Sequence, residues 1–379
     1  MTDTAMLDGI TILDLTTYLP GPYATGLLAQ LGARVIKVES RSGDQTRPLP
    51  PQRDGVGAFF SELNRGKESI VLDLKNEAGR ATLLELAGRC DALVEAFRPG
   101  VLARLGLPFE RLRETNPKLV CASLSGFGDR GPWAARPGHD ANYLGLSGAM
   151  GLSVDDEGRP VLPGLQIADL AGGLQTALAV LAGLVKAGRT GQGCLITTSM
   201  YESAISLISV YLGMTAAGES LEPGRMLLSG LVPCYQVFIA KDGRSLTVCP
   251  LEPKFWMRFC ALVEQPDWLS RGYDETLIPA MREHFLTRPA AEWVELLQDE
   301  CCVGPVLTLA EVLESPQARA LDLVDPRGIR APWSIDGARP ELPEHLAAKA
   351  GADRASILAD LLELDEAEQA RRADAGAFG

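Results

Sequence analysis

The chain has little histidine, few aromatic residues and no excess of positive charge. Three histidines occur in 379 residues, and Phe, Trp and Tyr together make up 6%, so each histidine has to be weighed singly. The formal net charge of −13 argues against a nucleic-acid or anionic-membrane binder. It leaves room for an anionic ligand, because local lysines and arginines override a global sign. The eight cysteines, at 90, 121, 194, 234, 249, 260, 301 and 302, never take CxxC spacing, and adjacent Cys301 and Cys302 are not a zinc pattern. Free thiols in a reducing compartment are expected, and no metal site. No GxGxxG follows the first strand signal and no GxxxxGK[ST] occurs, which argues against a dinucleotide or P-loop nucleotide site. The start MTDTAMLDGITILDLT carries acids where a secretory signal has positive charge. The apolar stretch GLQTALAVLAGLVKAG is too short to span a bilayer and carries Lys186. The expected location is the cytoplasm.

What the sequence does have is alternation. GITILDLT, RVIKVES, SIVLDL, DALVEAF and KLVCASLSGFG read as strands, and helical stretches such as PYATGLLAQLGA and NEAGRATLLELAGRC separate them. Repeated strand–helix alternation implies an α/β fold with a mainly parallel sheet covered by helices. Ligands bind such sheets outside the carboxyl ends of the strands. A long helix is expected over roughly 166–188, and AAGESLEPGRMLLSG reads as a linker broken by Pro223. Beyond it, VPCYQVFIAKDGRSLTVCPL reads as a hairpin turning at Lys241-Asp242-Gly243, opening a smaller α+β domain.

Three acid–base groups stand out, each with a plain structural alternative. His139 sits in GHDANYLGLSGA beside Asp140; it is a core histidine or a proton carrier. Asp169, in LQIADLAGG at a helix start, is an N-cap or a reactive carboxylate. Glu252, in CPLEPKFW, is a first-turn acid or a site residue. Two Gly/Pro turns carry cations: Arg98 after DALVEAF, and Arg65 and Lys67 before SIVLDL. They suit phosphate recognition or are solvated surface charge.

In order along the chain, these motifs resemble the family III CoA-transferases (CaiB/BaiF type), which include the α-methylacyl-CoA racemases. The likeness runs from LDGITILDLT and PGPYATGLLAQLGARVIKVES through NRGKESIVLDLKNEAGR and DALVEAFRPGVLARLGL. It continues in NPKLVCASLSGFGDRGPW, RTGQGCLITTSMYESAI and VGPVLTLAEVLESPQ. It implies a Rossmann-like large domain over 1–217, a small α+β domain over 218–305 and a return segment over 306–379. It also implies an interlocked homodimer, with the active site between the large domain of one subunit and the small domain of the other. Arg65, Lys67 and Arg98 become expected contacts to CoA phosphates and Tyr143 a thioester or CoA contact, with Asp140 in support. This chain departs from the family in having Ala96 where Asn often precedes the Phe of the FRPG turn.

The resemblance implies two reactions. GHDANYLGLSG, ADLAGG and EPKFW match the racemase pattern, in which His139 and Asp169 act as opposed acid and base and Glu252 pairs with the histidine. Epimerising a 2-methylacyl-CoA removes the α-proton from one face and returns one to the other, which takes two proton carriers. Backbone N–H groups after Asp169 are expected to stabilise the enolate. In the alternative, a CoA-transferase, Asp169 attacks the thioester and forms a mixed anhydride. Neither needs a metal or a cofactor beyond the CoA carried by the substrate.

Overall fold

The computed structural model describes residues 5–53, 55–155 and 157–379; the acidic start at residues 1–4 lies outside them. The chain divides into two units, one of Met1–Gly148, Pro163–Ile208 and Arg319–Gly379, the other of Ala149–Leu162 and Ser209–Ala318.

In the first unit, β1 (Thr11–Leu15), β2 (Arg34–Glu39), β3 (Lys67–Val71), β4 (Ala92–Glu95), β5 (Val120–Ser125) and β6 (Leu195–Ser199) form one parallel sheet in the order β3-β2-β1-β4-β5-β6. That is the doubly wound order of dinucleotide-binding sheets. Both faces are covered, because apolar strand residues point to helices on each side. Leu13, Ile36, Ile70 and Leu93 pack on one side with Leu83 and Leu86 of α3 (Glu77–Ala87). Ile12, Val35, Val94 and Val120 pack on the other with α1 (Pro20–Gln30) and α5 (Ile167–Thr190). Between these lie α2 (Ala58–Asn64) and α4 (Asp140–Ser147), and α6 (Met200–Leu207) follows β6.

Helix α5 is longer than the expected run and, by length and composition, apolar enough to cross a membrane. Its buried face nevertheless packs on this sheet, and glycines bring it there. A Cβ on Gly173 would stand 2.6 Å from the Pro20 carbonyl oxygen, and one on Gly183 2.6 Å from Val120 Cγ1.

The second unit carries β7 (Gln236–Ile239), β8 (Ser245–Val248) and β9 (Val303–Pro305) as an antiparallel sheet in the order β9-β8-β7. The expected hairpin forms, with Gly243 at φ +80° in its turn. Around it, α7 (Pro253–Leu262), α8 (Ile278–Phe285) and α9 (Ala290–Leu297) close a core of Phe238, Phe259, Phe285 and Trp293. This unit is larger than the 218–305 domain expected. It starts at Ser209, runs to Ala318 and takes in 149–162, a loop closed on itself by the Val154–Pro160 bridge and the Val161 N–H to Ser153 carbonyl bond.

Lys67 corrects a sequence expectation. It opens β3 rather than preceding it, and strand alternation turns its side chain inward, where it is 1% exposed. Its ammonium donates to Asp14 Oδ2 (2.9 Å), Thr25 Oγ1 (2.8 Å), Asn64 Oδ1 (2.9 Å) and the Pro22 carbonyl (2.9 Å), so it has nothing left for a phosphate. Burial pulls the lysine toward its neutral form and the Asp14 carboxylate opposes this. Burial pushes Asp14 up, but Lys67 and Lys37 outweigh it and hold the carboxyl well below the usual range. Removing one partner strands the other charge in the core. Lys67→Ala is therefore expected to destabilise the first unit by about 3–5 kcal/mol, read as a lower urea midpoint, with the KM for acyl-CoA of the folded fraction unchanged.

Candidate active site

Helices α4 and α5 start side by side, and the two residues 139–140 serve both starts. His139 is the N-cap of α4: its backbone N–H donates to Asn142 Oδ1 at 3.0 Å, and its imidazole is exposed. Asp140 follows, and its Oδ1 accepts the Ala168 N–H at 2.7 Å and the Asp169 N–H at 3.1 Å. The acid that caps α5 is thus Asp140, reached across 28 residues, and Asp169 in the first turn is not spent on capping.

Asp169 is partly buried. Burial, then the neighbouring Asp140 charge, push its carboxyl up to about 6, while His139 pulls the other way. It is therefore a carboxyl that exchanges protons near neutrality, within electrostatic reach of the imidazole.

Tyr143 is a buried ring, 5% exposed, whose hydroxyl donates to the Gly138 carbonyl at 2.6 Å. Its phenol is pushed up to about 12 by burial and then by Asp169 and Asp140. It packs edge-on against Phe127 at 5.0 Å, in a cluster with Trp133 and Tyr201. A Cβ on Gly138 would lie 2.9 Å from its ring, so the turn before His139 is moulded onto Tyr143. With its hydroxyl hydrogen engaged by the Gly138 carbonyl, Tyr143 braces the turn before His139.

The donors expected for an enolate oxygen are not free at α5. Its first N–H groups go to Leu165 O, Asp140 Oδ1 (twice) and Gln166 O. At α4, the N–H groups of Asp140 and Ala141 have no acceptor among the described residues, while Asn142 and Tyr143 bond back to His139 O. A developing negative charge would find donors and a helix N-terminus there.

A cavity of about 830 Å³ opens at the carboxyl ends of β1 to β4, where the fold class places ligands. Leu72, Leu74 and Phe97 give it apolar wall; Arg41, Lys75, Ser40 and Ser42 give it polar wall. Glu39, the acid at the end of β2 where a dinucleotide fold holds ribose, is consumed. It accepts from Arg47 Nε (2.8 Å) and Nη2 (2.5 Å), Ser69 Oγ (2.5 Å) and the Asp44 N–H (2.8 Å). Arg41, two residues on, suits a phosphorylated ribose instead. The sequence reading missed Arg41 and Lys75; the signal was their position just after β2 and β3. Arg98 is exposed in the turn beyond Phe97. Arg65 does not line the cavity; its guanidinium donates to the Arg327 carbonyl at 3.2 Å. In the second unit, Glu252 is the exposed N-cap residue of α7, and its side chain makes no capping bond.

A family model described as CoA-transferase family III matches residues 7–331. Human α-methylacyl-CoA racemase is 35% identical over 316 residues, 81% of this chain and 79% of its own length. Acetyl-CoA:oxalate CoA-transferase from Acetobacter aceti is 33% identical over 332 residues, 84% of this chain and 85% of its own. A crystal structure of a CaiB/BaiF family protein from Brucella suis superposes with a TM-score of 0.83 at 28% identity, covering 94% of this chain and 99% of that one.

An Asp169 carboxyl that burial pushes up to about 6, from about 3.9 in an unfolded chain, opposes folding once ionised. That penalty is absent below about pH 4 and complete above about pH 6. Discounted for the group's partial exposure, Asp169→Asn is expected to raise the Tm at pH 7.5 by roughly 2–4 °C, and to leave it unchanged at pH 4 in the same calorimetric scan.

Proposed function

Because the chain belongs to CoA-transferase family III, an enzymatic family, we propose that it epimerises the α-carbon of a 2-methylacyl-CoA, with His139 and Asp169 as opposed proton carriers. The observation that carries this reading is the pairing at the starts of α4 and α5: an exposed imidazole beside a carboxyl lifted to about 6. In one direction Asp169, ionised, takes the α-proton and the histidine, protonated, returns one to the opposite face; in the other the roles reverse. The enolate oxygen formed between these steps is held by the Asp140 and Ala141 N–H groups. Their α4 origin replaces the α5 donors expected from sequence, which are already bonded.

The cavity beside β2 and β3 takes the nucleotide end of CoA, with Arg41 and Lys75 on its phosphates and Arg98 at the rim. In the interlocked homodimer that the family resemblance implies, Glu252 of a second subunit pairs with His139. Exposed Leu174, Leu178 and Val185 on α5, and Leu207 at the end of α6, offer apolar surface for such an assembly. The reading needs no metal or redox group, since proton removal next to a thioester carbonyl calls only for bases and fixed donors. Eight free thiols suit the cytoplasm.

The second reading, CoA transfer with Asp169 as nucleophile, is favoured by the transferase relative at nearly the racemase's identity. Proton NMR separates the two. A 2-methylacyl-CoA incubated in D₂O with free succinate is expected to lose its α-proton signal, and His139→Ala and Asp169→Asn each to slow that loss by at least about 100-fold. An intact α-proton with CoA appearing on succinate identifies the transferase. For the cavity, Arg41→Ala is expected to raise the acyl-CoA KM roughly tenfold with kcat little changed.

A further inference from the structure

The backbone of residues 138–143 is tied down at each point that bears on His139. Tyr143 holds the Gly138 carbonyl (2.6 Å), Asn142 holds the His139 N–H (3.0 Å), and Asp140 reaches out of its own helix to the first turn of α5. Only the last of these links the histidine's frame to the carboxyl's. A cap for α5 needs an acceptor, and an Asn or Ser oxygen would serve as well. A carboxylate at this place costs something extra, because it stands beside a second, partly buried carboxyl, and like charges so placed repel. An acid retained at that cost points to use of its charge.

We infer that Asp140 is a positioning residue for the proposed reaction, clamping the first turn of α5 onto the His139 peptide and setting its own carboxyl beside that of Asp169. The inference rests on the reading of Asp169 as a proton carrier, but its electrostatic content is open to measurement apart from any turnover.

The ionisable groups on the elements packed against α5 are few. They are His139, Asp140 and Tyr143 on α4, Tyr23 on α1, Tyr201 and Glu202 on α6, and Cys121 on β5. Glu202 is engaged by Ser199 Oγ at 2.6 Å, and Cys121 is a buried neutral thiol. Burial and Asp140 act on Asp169 in one direction and His139 in the other.

Two variants separate the clamp from the charge. Asp140→Asn keeps an oxygen for both N–H groups and removes the charge, whereas Asp140→Ala removes both. With protein labelled by ¹³C at the Asp carboxyls, and the Asp169 resonance identified by its absence in Asp169→Asn, the Asp169 midpoint is expected to fall by about one pH unit in Asp140→Asn. The acid limb of kcat/KM should move down with it. In Asp140→Ala, the Ala168 and Asp169 amides should lose hydrogen-exchange protection and kcat should drop at least about tenfold. A purely structural Asp140 would leave the midpoint of the Asn variant in place, and that result overturns the inference, as does unchanged amide protection in the Ala variant. Failure of the underlying reading looks different: Asp169→Asn itself would keep full α-proton exchange.

Discussion

Much of this protein hangs on one buried ammonium. Lys67, at the first position of β3, reaches the carboxylate at the end of β1, the hydroxyl and carbonyl of α1, and the amide at the end of α2. Those elements frame the carboxyl edge of the sheet on which the cavity opens. A lysine in the core is tolerated only if every donor is used and a charge opposes it, and here both conditions hold. Beside it, Lys37 pairs with Asp44 at 3.0 Å and Glu39 with Arg47, so the loop that carries Arg41 is anchored from below by charges that cannot leave. The polar wall of the cavity stands on a buried ionic floor.

The candidate site is built from two helix starts. A helix N-terminus has four N–H groups to satisfy, and the two starts are treated differently. At α5 all are bonded, two of them by Asp140, so the helix is closed to ligands and Asp169 projects from a fixed turn. At α4 the first two N–H groups lack an acceptor among the described residues, beside an exposed imidazole. The unbonded donors lie beside the exposed imidazole, and the satisfied ones fix the turn that carries Asp169.

How much of this was legible beforehand depended on the range of the interaction. Strand–helix alternation is local, and it yielded the parallel sheet, the long helix and the 236–248 hairpin. His139, Asp169 and Asp140 were picked out by motif, and the structure brings them to one place. Lys67 departs from its expected place at a turn because the strand begins two residues earlier than SIVLDL suggests, which brings Lys67 into the strand and its side chain into the core. The role of Asp140 and the closing of the α5 N–H groups depend on a bond across 28 residues, which no window of sequence contains. The three histidines make the same point. His284 is packed against Trp268, Phe285 and Trp293, and His345 pairs with Asp353. His139 stands exposed at a helix N-terminus, on a frame of backbone hydrogen bonds, and nothing about the letter H distinguishes the three.

A carboxyl with raised proton affinity does not by itself choose between isomerisation and transfer, since the same burial that makes Asp169 a better base also makes it a better nucleophile. The difference lies in what stands opposite. A nucleophile needs an open approach and donors for the thioester oxygen; a second proton carrier held at a defined distance adds nothing to the attack itself. Isomerisation, by contrast, fails without one. The protein commits four hydrogen bonds, a buried tyrosine and a glycine with no room for a side chain to the peptide around His139. That investment is intelligible if the imidazole has to meet the substrate from one side while Asp169 meets it from the other. On that physical ground the two-carrier reading is preferred over the nucleophilic one.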